Sequence, residues 1–326
     1  MLYDAGTRYF IPKRIAMLSM VAALSALLSA CHSLPSSELS PYSTHRHSHT
    51  LSAGMPLIDS QGRIAYIEEQ GTGKAKISRL YSIRPDGSKR QLIDQIKGYI
   101  YAPSWSADGK RLAYSKQALR QQPKIYIYDS ASRSSRLIVD APGSHLSPSF
   151  SPDGQKLLYS STVDGDADIY ELNLSDGHTR QLTTLPSTEV QPSYASDGQS
   201  FVYTSDKVRA NHPRLYRYRF ATAKATRIPT AGYAASAQLS LDGQHMGYLN
   251  GQSAAIMNVT SGQVIALSNT GLDEPARLSP SGRYAIYPTR NAQGVGSLVV
   301  HSLSDHTSYS ISSQAGGVVR SPVWGR

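Results

Sequence analysis

From about residue 55 onward the chain is written in short apolar and aromatic stretches, separated by Gly, Pro, Asp and Ser. Within each stretch, apolar and polar positions alternate or β-branched and aromatic residues cluster, which is the pattern of strands rather than helices. One unit places such pieces around residues 103–106, 111–115, 124–128 and 136–139. The unit recurs. PSWSADGKRLAYS begins at Pro103, PSFSPDGQKLLYS at Pro148 and PSYASDGQSFVYT at Pro192. Looser copies follow as LSLDGQHMGYL from Leu239 and LSPSGRYAIY from Leu278, and PLIDSQGRIAY from Pro56 precedes them all. Their glycines, Gly62, Gly109, Gly154, Gly198, Gly243 and Gly282, lie 47, 45, 44, 45 and 39 residues apart. One strand further on, an apolar residue followed by Tyr recurs at Tyr81, Tyr126, Tyr170 and Tyr216.

Four antiparallel strands in about 40–50 residues make one propeller blade. The predicted fold is therefore all-β: a six-bladed β-propeller of four-stranded antiparallel blades, its ring closed by a terminal strand. A lone four-stranded sheet of this composition has apolar residues on both faces, and stacking neighbours in a ring buries both. Leu112, Tyr114, Leu157, Tyr159, Phe201 and Tyr203 are expected in or beside the layers between blades, as packing rather than as a ligand cage. The chain ends with SPVWGR, which matches the opening strand around Pro103 and Trp105. This surplus strand is inferred to complete the first blade, although residues 55–58 compete for the same place.

Asp-Gly between two strands is a strong hairpin signal, because both residues tolerate positive φ. Asp108, Asp153, Asp197 and Asp242 stand directly before Gly109, Gly154, Gly198 and Gly243. Two readings of these carboxylates compete: a ring that binds cations or basic peptides, or acceptors used inside their own turns. Their position beside the glycine favours the second. The first copy has Gln61 before Gly62 and the last has Ser281 before Gly282, so the charge is missing at both.

The start of the chain is different. Lys13 and Arg14 precede a short apolar run, residues 15–28, followed by Ser29, Ala30 and Cys31. A positive flank, an apolar core and small residues before a cut make a secretory signal. The run is shorter than the roughly 20 residues of a membrane span. Leu28, Ser29, Ala30 and Cys31 resemble the bacterial lipobox, in which the cysteine is diacylated and the peptide is cut before it. Cys31 is the only cysteine, so no internal disulfide forms, and more than one acyl chain would anchor the protein stably. His32 stands where aspartate signals inner-membrane retention in Gram-negative lipoproteins. The expected organisation is a signal peptide over 1–30, a lipidated Cys31 with a disordered Ser/His/Pro tether to residue 54, and the propeller over 55–326. His45, His47 and His49 in the tether read as a polar linker rather than a metal site, since no carboxylate or cysteine completes one.

Composition sharpens this picture only slightly. The chain has 25 glycines and 18 prolines and a charged fraction of only 17%, which suits many short strands and tight turns. The net charge is +10, of which Arg8, Lys13 and Arg14 against Asp4 account for two within the leader. The remaining positive charge is scattered, without a run of four Lys or Arg. It therefore points to an acidic protein, an anionic glycan or an anionic lipid surface rather than to nucleic acid.

The repeats are similar to the WD40-like repeat of the TolB family: Pro, a variable residue, an aromatic, Ser, Pro, Asp and Gly, then an apolar strand ending in an aromatic. The likeness covers residues 56–326 and is most specific in the copies from Pro103, Pro148 and Pro192. It implies a propeller that binds envelope proteins through an open face, the peptidoglycan-associated lipoprotein Pal among them, on the periplasmic side of an outer membrane. TolB carries an α/β domain ahead of its propeller. Here only about two dozen residues separate Cys31 from the repeats, so the expectation is a TolB-like propeller without that domain.

No Gly-x-Ser-x-Gly elbow, His-Glu-x-x-His helix or phosphate-binding Gly loop occurs. His145, His178, His212, His245, His301 and His306 are scattered at expected loops or strand ends. No catalytic, cofactor-binding or metal-ligating residue is assigned. The contrasting reading is a carbohydrate-active enzyme, lyase or hydrolase, or a glycan-binding protein, which would need His, Asp, Glu and Arg converging at one mouth of the channel.

Overall fold

The repeat units become hairpins because each turn satisfies itself. In the second copy Ser106 Oγ donates to Asp108 Oδ1 at 2.6 Å, the Lys110 N–H donates to the same oxygen at 3.1 Å, and Gly109 takes φ +67°. Asp153 and Asp242 repeat the arrangement with Ser151 and Ser240 at 2.5 Å each. Asp197 accepts from the Gln199 N–H at 2.8 Å. The serine hydroxyls hold the Asp108 and Asp153 carboxyls below the usual range. The last copy has no carboxylate of its own. Buried Asp59 supplies one from the first described helical turn, Leu57–Ser60, accepting from the Ser281 N–H at 2.9 Å and from the Ser281 hydroxyl.

The computed structural model describes residues 55–269 and 273–326. The strands are β1 (Arg63–Gln70), β2 (Ile77–Ile83), β3 (Gln91–Trp105), β4 (Arg111–Ala118), β5 (Lys124–Asp129) and β6 (Ser134–Val139). There follow β7 (His145–Phe150), β8 (Lys156–Ser161), β9 (Asp168–Asn173) and β10 (Thr179–Gln181), then β11 (Glu189–Tyr194), β12 (Ser200–Ser205), β13 (Arg214–Arg219) and β14 (Lys224–Arg227). The rest are β15 (Ala234–Leu239), β16 (His245–Asn250), β17 (Ser253–Asn258), β18 (Val264–Asn269), β19 (Arg277–Leu278), β20 (Tyr284–Arg290), β21 (Gly296–Ser302), β22 (Ser308–Ser312) and β23 (Val318–Gly325).

The strand count corrects one expectation. Six separate four-stranded blades are not what the hydrogen bonding makes. Four sheets have four strands, β7–β10, β11–β14, β15–β18 and β19–β22, and one has seven, in the order β23-β1-β2-β3-β4-β5-β6. The fold is a propeller-like all-β arrangement of four such blades plus a seven-stranded closing sheet. The cause is β3, which runs for 15 residues without a break. It pairs β2 through residues 91–97 and β4 through residues 98–105, so two sequence repeats share one sheet. Gly98 stands between the two halves, at the point where the strand changes partner without ending. The seven-stranded sheet turns on itself at this point. Ala65, Ile67 and Leu80 of its first part pack directly on Leu112, Tyr114 and Tyr128 of its second.

Similar layers join the other sheets. Leu157 and Tyr159 pack with Ala113 and Ile125, while Phe201 and Tyr203 pack with Leu158 and Ile169. Closure is made by β23, which pairs antiparallel with β1 from Arg63 opposite Gly325 to Glu69 opposite Val318. Residues 57–60 form a helical turn and not a strand, so the C-terminal segment takes the edge place beside β1. Residues 1–54, on which the expected signal peptide, Leu28, Ser29, Ala30, the expected lipidation at Cys31 and the expected tether fall, lie outside the described residues.

Candidate functional site

The innermost strand of each unit carries a recurrent bulge. Ala102, Ser147, Gln191, Ser236 and Ser321 take φ of 45°, 55°, 56°, 54° and 47°, left-handed values for residues that bear a side chain. The pairing register slips at each of the first four, for example between Tyr101 and Ser104 and between Val190 and Ser193. Bulges re-aim side chains, and such strained backbone needs surroundings that enforce it. The surroundings here are hydroxyls of the preceding sheet. The Gln191 N–H donates to Ser160 Oγ at 3.1 Å and the Ser236 N–H to Thr204 Oγ1 at 2.9 Å. Thr204 Oγ1 also donates to Gln191 Oε1 at 2.9 Å. Replacing Thr204 by alanine strands two of these groups and is expected to lower stability by about 1–3 kcal/mol. Denaturant titration would show this as a shifted midpoint with an unchanged slope, and an unshifted midpoint would refute the role. The sequence signal was present: Ser or Thr follows the repeat tyrosine at Ser115, Ser160 and Thr204.

The bulged residues line a central cavity of about 460 Å³. Its wall includes Lys76, Gln117 and Pro123, at the end of the strands where β1 turns into β2 and β4 into β5; by strand order the β12–β13 connection lies at the same end. The Asp-Gly turns and the first described residues lie at the opposite end. The Asp108, Asp153, Asp197 and Asp242 carboxylates accept hydrogen bonds in their own turns, away from the mouth, and Asp197 also lies 3.7 Å from Arg217 Nη2.

Most of the cavity wall is apolar backbone, Pro and Tyr, but one side carries charge. Glu69 Oε2 accepts from Lys76 Nζ at 2.7 Å and from Arg320 Nε at 3.0 Å. Arg320 Nη1 lies 3.5 Å from Glu274 Oε1, and Glu274 Oε2 accepts from the Ser321 N–H at 3.1 Å. Burial raises the Glu274 pKa, with Arg320 opposing the rise. Burial also pushes the Arg277 guanidinium down to about 10, with Glu274 opposing the fall. Arg277 donates from Nη1 to the Ser236 carbonyl at 2.6 Å and from Nη2 to Ser236 Oγ at 2.8 Å. Beside this charged side the Tyr99 and Tyr101 rings stack with centroids 5.8 Å apart, and Lys76 Nζ sits 5.3 Å from the Tyr99 centroid. Tyr233, also on the wall, is raised by burial to about 12.

None of these charged residues is singled out by the repeat pattern, because they are its departures. Five residues before the turn glycine, the other copies carry Ser104, Ser149, Ser193 and Gln238, where the last carries Arg277. All five line the cavity. Among the described residues, no group of three or more His, Cys, Asp or Glu is placed to hold a metal ion, and no helix is long and apolar enough to cross a membrane. His145 packs edge-on against Tyr159 and His301 bonds Ser308, so both sit in sheets rather than at the mouth.

Fold and site together define a binding propeller built around a funnel. A family model described as the TolB beta propeller domain, PD40, matches residues 60–326, and the chain belongs to that family, whose propellers are typically non-catalytic. The Tol-Pal system protein TolB of Marinomonas sp. (strain MWYL1) is 33% identical over 81 residues, 25% of this chain and 18% of that protein. TolB of Xanthomonas campestris pv. campestris (strain B100) is 36% identical over 76 residues, 23% of this chain and 17% of its own. The matched segments thus span less than a fifth of these relatives. The crystal structure of TolB from Acinetobacter baumannii superposes with a TM-score of 0.72 at 29% identity, covering 82% of this chain and 67% of that one. An oligogalacturonate lyase, at 12% identity and a TM-score of 0.51, shares the fold alone.

Proposed function

We propose that this protein is a membrane-tethered, non-catalytic propeller of the bacterial cell envelope that binds a protein partner at the channel mouth. The observation that carries the reading is the cavity itself: an open, mostly apolar funnel with a few fixed polar groups, the form of a binding site. Membership of the TolB propeller family supports a protein as the ligand, and the Tol-Pal relatives make a Pal-like lipoprotein the first partner to try. The tether is the lipidated Cys31 after a cleaved 1–30 leader, and the outer membrane facing the periplasm is the proposed location. The first described residues lie at the end opposite the mouth, so a tether leaving there would turn the mouth away from its own membrane.

The test is crosslinking in intact cells with tagged protein, followed by mass spectrometry and membrane fractionation, with Cys31→Ala in parallel. The expected result is recovery of a Pal-like or other envelope protein, competed by isolated propeller, and loss of the Cys31→Ala form from the membrane fraction. Retention of that form in membranes would refute the lipid tether. Recovery of glycan fractions without protein would refute the protein-binding reading.

A further inference from the structure

One cation at the mouth makes no direct ion pair among the described residues. Six charged residues line the wall: Lys76 and Arg320 pair with Glu69 and Glu274, which leaves Arg277 and Asp273 without an ion-pair contact. Arg277 is that cation. Among the described residues, no carboxylate lies within ion-pair distance of its guanidinium, whose bonds go to the carbonyl and hydroxyl of Ser236. Glu274 favours its charge only from beyond contact distance, and a charge kept in a partly apolar wall without a directly paired counter-ion is unfavourable unless something else satisfies it. Internal comparison adds an independent point. At this register of the ring the other repeats supply small or neutral polar side chains, so the architecture does not require an arginine there. The rim repeats the sign. The loops at the mouth end carry exposed Lys74, Arg120 and Arg209, with Lys207 and Arg214 part-exposed. Against them stand Asp140, Asp164, Asp166 and Asp206, of which Asp140 already pairs with Lys124 at 3.4 Å and Asp206 accepts from the Thr188 and Asn211 N–H groups.

We propose that the mouth receives an acidic polypeptide segment, one carboxylate of which seats on the Arg277 guanidinium while its flanking residues run over the basic rim. The planar guanidinium suits a carboxylate, with hydrogen bonds stronger than those between neutral groups. Glu274 and Asp273 flank the seat, so one carboxylate fits beside Arg277 and a continuous acidic run lies further out, against the rim. The Tyr99 and Tyr101 pair provides an apolar wall for the segment's own side chains.

This rests on the protein-binding reading above and narrows it to a chemistry. The probes are a fluorescein-labelled oligoglutamate and its oligoglutamine analogue, followed by anisotropy on the full chain. Oligoglutamate is expected to bind and oligoglutamine not, with affinity falling as salt rises. Arg277→Gln is expected to weaken oligoglutamate at least about tenfold while leaving the melting temperature near that of the parent. Arg277→Lys is expected to restore part of the loss. The exposed-loop variant Lys207→Gln/Arg209→Gln, which touches no cavity wall, is expected to slow association and flatten the salt dependence. Unchanged binding by Arg277→Gln with an intact fold would overturn the proposal. So would equal binding of the two peptides, or tighter Arg277-dependent binding of polygalacturonate or anionic vesicles. If Arg277→Gln does not fold, an unchanged affinity and salt dependence in the rim variant overturns it instead. Recovery of an envelope protein in cells by the Arg277→Gln form as efficiently as by the parent would leave the protein-binding function standing and remove only this chemistry.

Discussion

Replacing Trp324 by alanine is expected to lower stability by about 3–5 kcal/mol, the range for removing a buried aromatic from a core. Trp324 is only 4% exposed and packs with Met55, Ile64 and Ile286. Its Nε1 donates to the Asp59 carbonyl at 3.3 Å, and Asp59 in turn completes the Ser281 turn. One side chain therefore joins β23, the first helical turn and the hairpin of the last sheet. A loss of this size is a large part of the roughly 5–15 kcal/mol that holds a folded domain together. It also opens the edge of β1, which β23 covers, and an uncovered edge invites pairing between molecules. The check is a denaturant titration with light scattering on Trp324→Ala and Trp324→Phe. The phenylalanine variant keeps most of the volume and loses the hydrogen bond, so its loss should be clearly smaller. Equal losses in the two would place the energy in the hydrogen bond and not in the packing.

Gly98→Ala is expected to destabilise the protein by more than about 2 kcal/mol, because backbone strain and a clash act together. Gly98 takes φ +147°, where side chains are excluded, and an added Cβ would lie 2.2 Å from the Gln117 carbonyl oxygen of the paired strand. The glycine stands where β3 changes partner from β2 to β4. Its N–H donates to the Lys76 carbonyl at 3.0 Å and its carbonyl accepts from Ser78 Oγ at 2.8 Å. The damage should spread to the mouth, since Lys76, Tyr99 and Tyr101 are anchored on either side. Hydrogen exchange should rise at residues 98–101 and 117–118 before it rises elsewhere. A variant as stable and as protected as the parent would mean that β3 is not held at this point.

Much of this was legible in the chain. The period of about 45 residues, the Asp-Gly hairpins and the Leu-Tyr and Phe-Tyr strands determined the all-β propeller class and most of the packing layers, because local turn chemistry and strand alternation repeat and reinforce each other. The surplus C-terminal strand pointed to its place beside the first repeat. What the repeats do not encode is how strands are shared between units. β3 is continuous because its two halves both find partners: Ala65 and Leu80 pack against Leu112 and Tyr114, and Gly98 permits the change of partner between the halves.

The mouth was invisible for a related reason. Arg277, Glu274, Glu69, Lys76 and Arg320 come from both ends of the chain, and only ring closure sets Arg320 3.0 Å from Glu69. Periodicity reports what the copies have in common, whereas the cavity's chemistry lies where one copy departs from the others. The sequence alone thus determined the class of fold and the turns, and the address at Cys31 stays a proposal from sequence. The tertiary structure decided the sheet count, the closing strand and the charged funnel, because each depends on contacts between residues far apart in the chain.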